Sequence, residues 1–367
     1  MSRAFSLGLG PTDRTLEEVP GRSRPASGRR IAFWNRPLAR GIALLAAALL
    51  PSACRHLERN PASRPPLELP PEQVLPYRPR HPGFGLVLEP ADDRGTYHES
   101  YTFHFAAFSE DHGDFRRVEG RFYRSRAIAP GTRGPLVLIA PILAGAADNY
   151  LACRVFARWA CEAGISALYL HQDENILSSG RDGVELERLL RGSIQDDVRA
   201  LDLFLERPDV DPARLGSLGI SMGALRNVVL IAVEPRLVGN VLCLGGAGLP
   251  DIFRASKERR VVRYIERRGA LEGLSREEVA RDIERSVLAE PSRFAPAIAN
   301  DRTLLFLGWF DNKVPFATGL RLWEGLGEPE IHILPFGHYT GIAAAPFAAF
   351  KAFRYLRRRF GMPEADE

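Results

Sequence analysis

Lysine is almost missing from this chain. Of 49 lysines and arginines, only Lys257, Lys313 and Lys351 are lysine, an arginine bias that reflects genomic base composition rather than a function. A concentrated basic surface is missing too. Residues 1–40 hold eight arginines against three acids, a balance of +5, so a net charge of +4 leaves the remainder at −1. Nucleic-acid recognition needs clustered positive charge, so no nucleic-acid partner is expected. Cysteine is scarce: only Cys54, Cys153, Cys161 and Cys243 occur, with no Cys-x-x-Cys or His-x-x-x-His spacing. A disulfide framework and a metal site are therefore not expected. Cys153 and Cys161 fall two helical turns apart on one expected helix, too far to bridge, and read as buried free thiols. No apolar run reaches the roughly 20 residues that span a bilayer, and no internal repeat is visible.

A short apolar run is present near the N-terminus. Arg36 and Arg40 precede Gly41 to Leu50, followed by Pro51-Ser52-Ala53-Cys54. A charged lead, a short apolar core and small residues before a cut describe an export signal. The terminal cysteine makes the segment resemble a bacterial lipoprotein signal, which implies Cys54 as the lipidated residue, with Pro51 a departure from that pattern. Prolines at 61, 65, 66, 70, 71, 76, 79, 82 and 90 disfavour helix and sheet over residues 55–95, which read as an extended tether, with an N-terminal loop draped over the domain as the alternative. The expected organisation is a leader at 1–54, a tether at 55–95 and one large folded domain at 96–367. Location in the bacterial cell envelope, lipid-anchored or periplasmic, follows from that reading.

At 367 residues and 45% hydrophobic side chains, the chain can bury a full core in one large domain. Ser100 to Phe108, Arg117 to Arg124, Pro135 to Ala140, Ile165 to Leu170 and Leu215 to Ile220 read as strands. Leu151, Val155, Phe156 and Trp159 share one face of a helix over 149–162 ended by Gly164. Ile194, Val198, Leu201 and Leu205 mark a second helix, for which Ser193 is the expected N-cap. Strand, Gly219-Ile220-Ser221-Met222-Gly223 and a further apolar helix then follow in order. A Gly-x-Ser-x-Gly at a strand-to-helix turn holds a serine hydroxyl exposed, and the sharp turn demands glycine on both sides.

The stretch from Asp196 to Pro235 resembles the nucleophile-elbow region of α/β-hydrolase fold enzymes, and 207–214 is similar to the dienelactone hydrolase and peptidase-like esterase branches. The resemblance implies a mostly parallel sheet flanked by helices, a catalytic Ser221, and then an acid and a histidine downstream. Thr303 to Leu307 reads as a strand leading to Gly308-Trp309-Phe310-Asp311-Asn312-Lys313-Val314-Pro315, which is similar to the family's acid-bearing segment. His338 follows the last strand, Ile331 to Leu334, on a loop. Ser221, His338 and Asp311 are thus the expected nucleophile, base and orienting acid. Asp251, after the strand Val241 to Leu244, is the rival acid. His332 and His171, within or ending strands, read as structural.

Backbone N–H groups of Met222 and Leu143, with Ile142 as the alternative, are the expected oxyanion donors. Relatives often carry His-Gly-x where this chain has Pro141-Ile142-Leu143. The insert 249–296 reads as two amphipathic helices, near Ile252 to Arg268 and Arg276 to Leu288, forming a cap; Ser275 and Glu278 make a capping box. The expected activity is hydrolysis of a small-molecule carboxylic ester through an acyl-enzyme, without metal or organic cofactor. Two alternatives stay open: acyl transfer on the same triad, and a non-catalytic envelope binding protein on a hydrolase scaffold.

Overall fold

A ten-stranded sheet organises the chain. The computed structural model describes residues 55–57, 65–143, 146–172, 176–178 and 180–363. Its strands are β1 (Arg55–Leu57), β2 (Phe84–Pro90), β3 (His98–Ser109), β4 (Asp114–Ser125), β5 (Gly134–Ala140), β6 (Ser166–Leu170), β7 (Val210–Ile220), β8 (Leu237–Cys243), β9 (Thr303–Gly308) and β10 (Glu330–Leu334). The spatial order is β1-β10-β9-β8-β7-β5-β6-β4-β3-β2. Strands β10, β9, β8, β7, β5 and β6 run parallel, while β4, β3 and β2 extend one edge in antiparallel fashion. The strand order reverses beside β5, between its parallel neighbours β6 and β7. In open α/β sheets the crevice at such a switch point is where sites form.

Burial follows from this topology. Every residue of β5, Gly134–Ala140, is buried, as a parallel strand covered on both faces requires. Leu136 and Leu138 face one core and Val137 and Ile139 the other. The short helix α1 (Pro71–Val74) precedes β2. Against the first core pack α3 (Gly183–Leu205) and α4 (Met222–Val233); against the second pack α2 (Ala146–Glu162) and the C-terminal helix Ala345–Arg359. Helix α3 begins earlier than its apolar periodicity indicated. Asp182 is its N-cap, accepting from the Glu185 N–H, and Ser193 lies mid-helix with its hydroxyl donating to the Leu189 carbonyl at 2.8 Å. Strand β7 also starts before the expected Leu215: Val210 to Arg214 form its entry through a register shift against β5.

The expected tether is corrected by the described part of residues 55–95. Strand β1 pairs antiparallel with β10, and β2 pairs with β3. Tyr77 is buried in the core, and its hydroxyl donates to Glu187 at 2.8 Å. Proline misled because it is tolerated where no ladder N–H is needed: Pro82 precedes β2 and Pro90 ends it, on an edge strand. The alternation of half-buried Leu86 and Leu88 with exposed neighbours was the missed signal. Residues 1–54, including Cys54, lie outside the described residues.

The insert after β8 forms three main helices rather than two: α5 (Leu249–Ala255), α6 (Arg259–Glu272) and α7 (Arg276–Ser286). Ser256 and Lys257 break the first expected helix. The Ser275–Glu278 capping box is present in both directions. Glu290 ties the ends of the insert together, accepting from the N–H groups of Gly248 and Leu249 at 2.7 and 2.6 Å.

Candidate active site

Ser221 sits between β7 and α4 with φ 56° and ψ −121°, a backbone conformation that costs a non-glycine residue energy. Its own N–H donates to the Cys243 carbonyl at 2.8 Å, and its carbonyl accepts from Ala224 and Leu225 to start α4. Both flanking glycines are required sterically. A Cβ at Gly219 would stand 2.5 Å from the Gly223 carbonyl oxygen, and one at Gly223 would collide with the Ala140 carbonyl oxygen. Close packing of Gly223 on Ala140 and Pro141 also brings the exit of β5 against the elbow.

Two loops from neighbouring strands complete the arrangement. After β9, Asp311 is fixed by its own turn: Oδ1 accepts from the N–H groups of Lys313 at 2.8 Å and Val314 at 3.0 Å. After β10, residues 335–338 run beside that turn, with Trp309 N–H donating to Leu334 and Phe310 N–H to Phe336. His338 Nδ1 lies 2.6 Å from Asp311 Oδ2, and His338 Nε2 lies 2.8 Å from Ser221 Oγ. The His338 and Asp311 side chains are only 9% and 2% exposed, so water competes little for these bonds. A carboxylate holding Nδ1–H leaves the Nε2 lone pair facing the serine hydroxyl, the tautomer a general base needs.

The other expected residues fall into place differently. Met222 opens α4, where the first N–H groups have no partner within the helix. Ile142 and Leu143 follow the β5 exit that packs on Gly223. The rival acid Asp251 points elsewhere: its carboxylate is bound by Arg254 at 2.9 Å and Arg321 at 2.5 Å. His332 is buried and stacks on Phe306, and His171 packs on Tyr150. Cys153, Cys161 and Cys243 are free and buried. Among the described residues, no group of three His, Cys, Asp or Glu side chains is arranged to hold a metal ion.

Sequence reading missed the surroundings of these three side chains. Tyr339, next to His338, donates its hydroxyl to Glu258 of the insert, and the Lys313 ammonium lies 5.7 Å from the Tyr339 ring centroid. Ser256 donates to the Lys313 carbonyl at 2.6 Å, so the link between α5 and α6 borders the site. Behind the elbow, Arg226 of α4 pairs with Asp197 of α3 at 3.0 Å, both almost wholly buried. Burial pushes the Asp197 carboxyl up to about 7 against the opposing pull of Arg226. None of these pairs has a local sequence signature, because each joins elements far apart in the chain.

No protein-family model matches the chain, and no curated protein is significantly similar to it in sequence. Solved structures do resemble it. An acetyl xylan esterase from Paenibacillus sp. R4 superposes with a TM-score of 0.53 at 16% identity, covering 76% of this chain and 99% of its own. Acetyl xylan esterase 1 from Thermoanaerobacterium sp. JW/SL YS485 gives 0.51 at 14% identity, covering 85% and 93%. At such identities the likeness is one of fold, and together with the sheet order it gives this chain the α/β-hydrolase fold.

Proposed function

We propose that the chain is a serine hydrolase that cleaves a carboxylic ester through an acyl-enzyme intermediate. One observation carries this reading: a strained, glycine-flanked serine, a histidine and a buried aspartate form one continuous hydrogen-bonded chain of 2.8 and 2.6 Å. Ser221 Oγ attacks the ester carbonyl while His338 Nε2 takes its proton. The resulting imidazolium is held by Asp311, whose charge is in turn fixed by two backbone N–H groups. His338 returns the proton to the leaving alkoxide, and water repeats the cycle to release the acid. Met222 N–H, and a second N–H from Leu143 or Ile142, receive the oxyanion; such donors contribute about 3–4 kcal/mol each when preorganised. The two acetyl xylan esterases of like fold agree with an ester substrate.

Acyl transfer to another alcohol or amine uses the same residues, and the competent triad favours either reaction over a purely binding role. Export and lipidation at Cys54 belong to the same proposal, resting on the leader's composition. The test is turnover of p-nitrophenyl acetate with and without added alcohols. Hydrolysis lost in Ser221→Ala and undiminished by acceptors supports hydrolysis. Faster product release with acceptor incorporation supports transfer, and no turnover of any activated ester contradicts both.

A further inference from the structure

Four large apolar side chains stand out from the two loops that carry Asp311 and His338. Trp309 is 47% exposed, Phe310 66%, Tyr339 62% and Ile342 72%. Isolated exposed apolar residues are ordinary, but a group on one rim marks a binding surface. Phe310 and Tyr339 line an open cleft of about 360 Å³ with His338, so this rim adjoins the candidate base. Trp309 packs against Phe316 in a tilted ring contact at 5.0 Å, and the Ile342 N–H donates to the Tyr339 carbonyl. The apolar groups are therefore held out to solvent by a supported framework.

The position of the N-terminal strand says what meets this rim. Strand β1 is antiparallel to β10, with Arg55 opposite Ile333 and Leu57 opposite Ile331. Arg55 is therefore at the end of β10 that leads directly into Pro335 and His338. The chain therefore enters β1 from the catalytic edge of the sheet, and Cys54, the proposed lipidation residue, immediately precedes Arg55 in sequence. Two of the chain's three lysines, Lys257 and Lys313, lie on the same rim, with Glu258 between them and Tyr339. Aromatic rings and lysines around an opening suit the interfacial layer of a bilayer.

We infer that the 309–310 and 339–342 rim docks on a lipid surface, and that the site takes esters resident in that surface rather than freely dissolved ones. This rests on the ester-hydrolase reading and adds the substrate class to it. The experiment uses the full chain and its Cys54→Ala variant, each with and without Ile342→Glu. Turnover is compared for a long-chain ester dispersed in phosphatidylethanolamine–phosphatidylglycerol vesicles and for a water-soluble acetate ester. Ile342→Glu is expected to lower the ratio of vesicle-borne to soluble turnover roughly tenfold or more in both backgrounds, leaving the soluble rate unchanged. An unchanged ratio would overturn the docking inference while the hydrolase reading stood. Loss of both rates in the parent chain would instead sink the hydrolase reading, and flotation of the protein with vesicles, weakened by Ile342→Glu, would still report docking.

Discussion

The hydrogen bonds of Asp311 determine which of the chain's carboxylates works with His338. Asp311 is buried, fixed by two backbone N–H groups and 2.6 Å from the imidazole, whereas Asp251 is committed to two arginines. Asp311→Asn presents a donor to Nδ1 and favours the wrong tautomer, so kcat should fall by roughly four orders of magnitude. Asp251→Asn should leave kcat within a few-fold of the parent, and a reversed order in steady-state assays would reassign the acid. Chain order and the strand-then-Gly-x-x-Asp spacing were enough to prefer Asp311 in the sequence. The choice between the two acids became geometric only once both loops were placed. The glycines were equally legible, because the turn's steric demand is local. Gly223→Ala should sharply reduce activity, since its new methyl would press on the Ala140 carbonyl and displace the β5 exit that leads to the proposed oxyanion donors.

At the scale of elements, the parallel strands and their helices were legible because apolar periodicity reports burial. The departures came where long-range contacts overrode composition. The proline count at 55–95 described an extended, semi-rigid tether, but Tyr77 and β2 are anchored by Glu187 and β3. Likewise the first insert helix is split at Ser256, whose hydroxyl is used by Lys313 and Glu258 rather than by helix backbone. Ser256→Ala would remove this anchor without blocking a helix. The insert also depends on Glu290, which satisfies two buried N–H groups at the start of α5. Glu290→Ala leaves both unpaired and should cost about 2 kcal/mol or more of unfolding free energy, read by urea denaturation. An exposed capping residue has less at stake: Ser275→Ala should cost about 1 kcal/mol. Equal costs for the two variants would mean that the insert's ends are not clamped as described.

For the whole molecule, the second of the two cores divided by the sheet buries all three described cysteines, which gives the fold a defined response to alkali. Burial raises the Cys153 and Cys243 thiols from an ordinary 9.0 to about 12, and raises Cys161 as well. Below pH 9 both folded and unfolded chains hold these protons, and the stabilisation is fully present. Above it only the unfolded chain releases them, so stability falls by about 1.4 kcal/mol per pH unit for each thiol until the folded values are reached. Urea midpoints should therefore drop between pH 8 and pH 10, and a Cys153→Ala, Cys243→Ala pair should flatten the drop. A midpoint independent of pH over that interval would mean that the thiols are not sealed in the core.

Catalysis at this edge of the sheet requires Ser221 to be its one activated hydroxyl. Mass mapping of the native chain after reaction with a fluorophosphonate tests that claim most directly. A single phosphonylated peptide carrying Ser221, lost in both Ser221→Ala and His338→Ala while each variant retains the parent's circular dichroism, is the predicted result. An unmodified Ser221, or an adduct on another residue that survives in Ser221→Ala, would contradict it.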